Sequence, residues 1–417
     1  MYPVPAESID RLSVLRSRIW SVCPVGQRAD TVTGRHRRRP PDARTHSMTH
    51  PVPALPVNPR LHAVPAYRQG RSAPSGASKL SSNESPHPPL ASVRAAVQER
   101  LDGIHRYPQM SAPEVIGRLA QRYGVDPSLV TVGAGSVELA AQLIHATAGE
   151  GDEVIFAWRS FEAYPSLVRI AGAEPVMVPL DAEHRHDLDA MLDAITPRTR
   201  LVFVCNPNNP TGSVVGAAEL ERFVDAVPRD VLVVIDEAYV HFDGTEYTPR
   251  ADAGERVRGA GLELFRRFPH VAVLHTFSKA YGLAGLRIGY ALAPAMIAEN
   301  QRKAAVPFGV TDLAQAAAVA SLDAEEELAA RIAEVVAQRD RLHGLLLAAG
   351  WPAVRSEANF VWVPAGDRTA ELDELLNAGG VVARSFPGEG VRISAGSAED
   401  VDRVAAALAD APEETRA

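Results

Sequence analysis

The sequence predicts an α/β fold: a mostly parallel central sheet with helices on both faces, followed by a smaller α+β lobe. Three observations predict it. From about residue 90, apolar runs of four to six residues, rich in valine and isoleucine and bounded by turn residues, alternate with stretches long enough for a crossover helix. Beyond residue 310 that rhythm gives way to one long amphipathic segment and several short strand candidates. A length of 417 residues also exceeds one ordinary compact unit.

In chain order, the first 47 residues hold nine arginines against four acids with no apolar stretch behind them. They read as a disordered leader, with Met48 as a candidate start, rather than a secretory signal or a nucleic-acid arm. Residues 48–90 form an N-terminal arm contributing to the small domain, with the proline-rich stretch 50–60 extended rather than packed. A large domain follows over 91–305, with strands at 129–132, 153–157, 201–204, 231–235, 271–275 and 288–293 and a helix over 138–147. The small domain takes 306–417. Its helix over 328–350 carries Leu328, Ile332, Val335, Leu342 and Leu346 on one face, and Gly350 and Pro352 stop it. Strands at 358–363, 381–384 and 391–394 and a last helix from Ala398 complete it.

Composition narrows the function classes. Hydrophobic residues make up 46% and charged residues 23%, the balance of a soluble globular enzyme. No window reaches the ~18–20 apolar residues of a bilayer span. The net charge of −8 argues against nucleic acid as a partner. Two distant cysteines, Cys23 and Cys205, give neither a disulfide framework nor a metal-ligand spacing, and they fit a reducing cytoplasmic setting.

Four constellations follow predicted strands, where parallel sheets carry their ligand sites. Asn206-Pro207-Asn208-Asn209-Pro210-Thr211-Gly212 forces a turn after the third strand. Asp236-Glu237-Ala238-Tyr239 puts a carboxylate at the end of a fully apolar strand; it either caps the next helix or keeps a pyridinium nitrogen protonated. Thr276-Phe277-Ser278-Lys279 runs on to Arg287. It offers an imine-forming lysine with two hydroxyls and a guanidinium as a phosphate clamp. Lys279 is one of only three lysines, and Lys79 and Lys303 have no comparable setting. Gly133-Ala134-Gly135-Ser136 opens a helix as an anion seat; Glu138 stands where a dinucleotide fingerprint wants a third glycine. With Asn209 or Tyr239 as partner for a ring hydroxyl, the set answers the needs of pyridoxal phosphate.

These blocks resemble the fold-type I aminotransferases, within the histidinol-phosphate and aromatic amino acid branch. Leu80-Ser81-Ser82-Asn83-Glu84, Arg106-Tyr107-Pro108, Ala358-Asn359-Phe360-Val361-Trp362 and Gly390-Val391-Arg392-Ile393-Ser394 extend the resemblance over 55–410. It implies an aspartate aminotransferase-like large domain, with pyridoxal 5′-phosphate as cofactor. Lys279 would join the cofactor and carry the α-proton, Asp236 would pair with its ring nitrogen, and Asn209 and Tyr239 would hold its ring oxygen. Ser136 and Val137 through their backbone, with Thr276, Ser278 and Arg287, would hold its phosphate, and Phe161 would stack on its ring. Tyr107 would reach the neighbouring subunit's phosphate, which requires a homodimer. Arg392 would grip the substrate α-carboxylate, with Asn83 and Arg384 also toward the substrate.

Histidinol-phosphate aminotransferases commonly carry an arginine shortly after the Asn-Phe pair; here Val361-Trp362-Val363-Pro364 stands there, while their second phosphate-binding arginine aligns with Arg384. Loss of one of two buried cations costs a phosphorylated substrate roughly 2–5 kcal/mol. Val137 also replaces an acid common in that type. The segment Ala157-Trp158-Arg159-Ser160-Phe161-Glu162-Ala163-Tyr164-Pro165 resembles actinobacterial aromatic aminotransferases. The expectation is therefore transamination of phenylalanine, tyrosine and tryptophan with 2-oxoglutarate as acceptor, and the alternative is histidinol phosphate. A decarboxylase on the same scaffold would share Lys279 and Asp236 but has less use for Arg392. A regulator would need a DNA-reading helix-turn-helix, which is not evident.

Overall fold

The computed structural model describes residues 57–409 apart from positions 63, 68, 244–247, 250–255 and 258. The arginine-rich leader, Met48 and Cys23 lie outside the described residues. In chain order the strands are β1 Ser78–Lys79, β2 Val130–Gly133, β3 Glu153–Trp158, β4 Glu174–Pro179, β5 Thr199–Cys205, β6 Leu232–Asp236, β7 Thr248–Pro249, β8 Arg256–Val257, β9 Val271–Thr276, β10 Gly289–Leu292, β11 Phe360–Val363, β12 Val381–Val382, β13 Arg384–Phe386 and β14 Gly390–Ser394.

Seven of them form the central sheet in the order β2-β10-β9-β6-β5-β3-β4. Only β10 runs antiparallel to its neighbours. The expected mostly parallel sheet is present, and its central strands carry the apolar runs 201–205, 232–235 and 271–274 because both faces are covered there. On one face, Val202, Val204, Val233, Ile235, Val271 and Val273 join the larger core cluster. Leu201, Phe203, Leu232, Val234, Ala272 and Leu274 alternate to the other face and pack with Leu139, Leu143 and Ile144 of the helix Ser136–Thr147.

All six sequence-derived strands of this sheet are present, shifted by one or two residues at their ends. β4 was not expected. It reads Glu-Pro-Val-Met-Val-Pro, with prolines that a central strand would not tolerate, and it sits at the sheet edge where only one neighbour needs its N–H groups.

A three-stranded antiparallel sheet, ordered β11-β14-β13, carries the C-terminal part of the site. The expected strand over 381–384 divides at Ala383: β12 pairs in parallel with β1, and β13 pairs with β14. Leu80, just after β1, packs with Leu342, Leu346, Trp351 and Val391. Contrary to an extended arm throughout 50–60, Pro59–His62 forms one helical turn.

The long helix spans Glu325–Ala348 and buries all five expected apolar residues. Gly350 at φ +82° ends it, with the Gly350 and Trp351 N–H groups donating to the Leu347 and Leu346 carbonyls at 3.0 Å. The same buried stripe holds Arg339, whose Nη1 donates to the carbonyls of Phe242 and Ala358 at 3.0 and 3.3 Å.

Candidate active site

At the C-terminal edge of the parallel strands lies a cavity of about 450 Å³, lined by Lys279, Asp236, Tyr239, Asn209 and Arg392 among others. The loops after β2, β3, β5, β6 and β9 all open onto it. Because β10 is antiparallel, its first end lies at the same edge, and Arg287, two residues before it, lines the cavity too.

Asp236 is the last residue of β6 and is 4% exposed. Its Oδ2 accepts the Tyr164 hydroxyl at 2.6 Å and its Oδ1 accepts the Ala238 N–H at 3.1 Å. Burial pushes the carboxyl up to about 6, against the pull of those two donors. Asp236 accepts an N–H of the turn that follows it, without capping the next helical turn at Val240–Phe242, and it lines the cavity. Glu237 does not line the cavity; it accepts the Gly261 N–H at 2.9 Å and lies 3.3 Å from His275.

Lys279 follows β9, with Nζ donating to the Ser82 carbonyl at 3.4 Å and lying 5.7 Å from the Tyr239 ring centre. Burial, followed by the nearby Arg392 guanidinium, lowers its ammonium to about 7. This lysine thus offers a neutral amine near neutral pH.

The anion seat is built by backbone. Gly135 at φ +87° leads into the helix starting at Ser136, and a Cβ there would collide with the Arg287 guanidinium. Arg287 Nη1 donates to the Ser278 hydroxyl at 3.4 Å and Nη2 to the Ala134 carbonyl at 3.2 Å. Thr276 Oγ1 accepts the Ser278 N–H at 3.1 Å. Glu138 accepts the Ala134 N–H, which explains an acid where a dinucleotide fingerprint has glycine.

Arg392 on β14 is buried. Its Nη1 donates to Asn209 Oδ1, its Nη2 to the Ser81 carbonyl at 2.9 Å, and its Nε has no partner. No carboxylate lies within 4 Å of it among the described residues. Asn83, expected toward the substrate, lines the cavity and also links Tyr239 to Ser394. Its Nδ2 donates to Tyr239 Oη at 3.0 Å, and its Oδ1 accepts the Ser394 hydroxyl at 2.9 Å. Arg384, also expected toward the substrate, lines the cavity but is held by Glu162. Phe161 and Val137 line the cavity as well. Tyr107 does not; it is 83% exposed and stacks on Phe308 at 4.6 Å.

Sequence reasoning passed over Tyr164, Glu162 and Ser394. Tyr164 and Glu162 lie inside a quoted segment, but nothing local marks them, because their partners are 72 and 222 residues away.

The family model for aminotransferase class I and II matches residues 76–408. The chain belongs to this family. An aromatic amino acid aminotransferase of Cutibacterium acnes is 52% identical over 351 residues, covering 84% of this chain and 97% of that one. A histidinol-phosphate aminotransferase from Sinorhizobium meliloti, solved in complex with pyridoxal 5′-phosphate, superposes with a TM-score of 0.74 at 26% identity over 86% of this chain and 97% of that one. A tetra mutant of aspartate aminotransferase from Thermus thermophilus gives 0.68 at 24% identity, over 85% and 99%. The protein is thus an aminotransferase with the aspartate aminotransferase-like fold, and no helix among the described residues is long and apolar enough to cross a membrane.

The cavity fits pyridoxal phosphate. Among the described residues the buried Asp236 carboxyl, raised by burial, is met by the neutral Tyr164 hydroxyl and Ala238 N–H, donors beside which a pyridinium would fit, and the helix start at Ser136 lies beside the Arg287 guanidinium, a setting for a phosphate. A neutral-prone amine lines the same space.

Proposed function

We propose that this aminotransferase moves the amino group of phenylalanine, tyrosine and tryptophan to 2-oxoglutarate, as a cytoplasmic homodimer that uses pyridoxal 5′-phosphate. The observation that carries it is one buried guanidinium, Arg392, left without a carboxylate in the same cavity as an amine lowered to about 7. That pairing suits a substrate with one carboxylate next to the reacting nitrogen. The name of the relative at 52% identity supports the aromatic donor.

When bound, pyridoxal phosphate supplies an aldehyde that condenses with amines and a ring that accepts electrons from the α-carbon. Ser136 and Val137 through backbone N–H groups, with Thr276, Ser278 and Arg287, hold the phosphate. Asp236, kept in place by Tyr164 and the Ala238 N–H, holds a proton on the ring nitrogen. Asn209 and Tyr239 hold the ring oxygen, and Asn83 fixes the Tyr239 hydroxyl. Phe161, which lines the cavity, would cover the ring. Lys279 provides the amine and moves the α-proton, a task suited to a group titrating near 7. Arg392 binds the α-carboxylate in two-pronged fashion and so orients the α-carbon toward Lys279.

The division into a cofactor domain over 91–305 and a small domain of the arm with 306–417 accompanies this reading. It is supported by the separate apolar cluster of Leu80, Leu342, Trp351 and Val391. The dimer is supported by exposed Ile104, Tyr107, Met110, Val306 and Phe308, apolar surface of the kind a second copy covers.

The test is kcat/KM for phenylalanine against histidinol phosphate, with glutamate formation followed. Preference for phenylalanine with glutamate produced is the expected result. Preference for the phosphate ester would assign the alternative substrate, and CO₂ release without glutamate would assign decarboxylation.

A further inference from the structure

Two arginines face the substrate end of the cavity, and they are treated differently. Arg384 and Arg392 stand opposite one another in register on β13 and β14, so their side chains leave the same face of the small sheet. Side by side, two guanidiniums would trap a ligand with two anionic groups. Among the described residues Arg392 donates to the neutral Asn209 and Ser81 oxygens and lies against the Phe360 ring, with no carboxylate on it. Arg384 is met by a carboxylate: its Nη2 donates to Glu162 Oε1 at 2.9 Å and Oε2 at 3.1 Å, while its Nη1 donates to the Gln69 carbonyl at 3.3 Å. The Arg384 and Glu162 side chains are 17% and 26% exposed, so the pair is partly withdrawn from water rather than lying on open surface. Glu162 comes from the loop after β3, next to Phe161, and both line the cavity.

We propose that Glu162 is a specificity-determining residue of the side-chain subsite: a resident counter-anion on Arg384 that disfavours donors carrying a second carboxylate or a phosphate and leaves donors with an uncharged side chain favoured. The proposal rests on the aromatic reading of the site and names the group that enforces it. A second anion entering the subsite must displace Glu162 from Arg384 and then lie beside the displaced carboxylate, a like-charge contact. 2-Oxoglutarate meets the same obstacle with its distal carboxylate, so Glu162 also weakens binding of that acceptor.

The test uses holoenzyme. The quantity read is the ratio of kcat/KM for histidinol phosphate to that for phenylalanine. In Glu162→Gln the ratio rises roughly tenfold or more, through KM rather than kcat, and the KM for 2-oxoglutarate falls. In Arg384→Gln, where Glu162 keeps its charge without its partner, the ratio falls by a similar factor. The rise is absent from the double variant. Glu389→Gln removes the same charge from the Arg159 pair outside the cavity and leaves the ratio at its wild-type value. Calorimetry with the unreactive succinate and 3-phenylpropionate reports the same shift without turnover: succinate gains on 3-phenylpropionate in Glu162→Gln. An unchanged ratio in both single variants with normal cofactor absorbance would overturn the proposal, as would an equal rise in Glu389→Gln. A wild-type preference for histidinol phosphate would instead contradict the aromatic reading; the direction in which the two variants move the ratio tests Glu162 separately.

Discussion

Lys279 illustrates how burial makes a reagent. An exposed ammonium titrates near 10.4 and holds its proton in neutral water. Here burial and Arg392 bring it to about 7. Acetylation of Lys279 in cofactor-free protein should therefore reach half its maximal rate near pH 7; a midpoint near 10 would remove the argument. The sign for stability follows. Between about 7 and 10.5 the unfolded chain binds a proton on this residue that the folded chain does not, so its contribution makes cofactor-free protein more stable as pH rises through that window. Asp236 acts oppositely: raised to about 6, it contributes stability that is lost as pH rises from about 4 to 6. Tyr164→Phe keeps the stack on Phe203, at 4.5 Å, but removes the hydroxyl that steadies the Asp236 carboxylate. A hydrogen bond to a charged group contributes about 1.5–3 kcal/mol, so we expect kcat to fall roughly tenfold or more. Steady-state kinetics would check this, and an unchanged kcat would show that Asp236 needs no such support.

At the scale of elements, the strands of the central sheet were legible because burial on both faces leaves no polar alternation to confuse with a helix. β4 was not, because its prolines and exposed positions carry the signature of a loop. The motif loops were legible because chemistry concentrates in short blocks after those strands. Their support was not: Tyr164 reaches Asp236 and Glu162 reaches Arg384 across the fold, and no local spacing records such contacts. Arg339 shows the same limit, since a charged residue within an apolar stripe reads as an interruption until the carbonyls of Phe242 and Ala358 are seen around it. Helix stops are local, and the one at Gly350 was legible, although that helix begins at Glu325 rather than 328. Gly350→Ala forces a side chain into a left-handed backbone with open space around it, so the cost is conformational. We expect about 1 kcal/mol less stability with unchanged kcat/KM, checked by denaturant titration and activity.

For the whole molecule, the exposed apolar patch around Tyr107 and Phe308 belongs to the proposed dimer contact. Charge placed there, as in Ile104→Asp, should shift sedimentation toward monomer and lower activity in proportion if Tyr107 serves the neighbouring subunit. Monomer with full activity would separate the site from the interface. The central claim concerns where the cofactor is joined to the chain. Borohydride treatment of the purified yellow protein, followed by proteolysis and mass spectrometry, locates that attachment. We expect the pyridoxyl mass on the peptide containing Lys279; finding it on Lys79 or Lys303, or on no lysine, would contradict the claim.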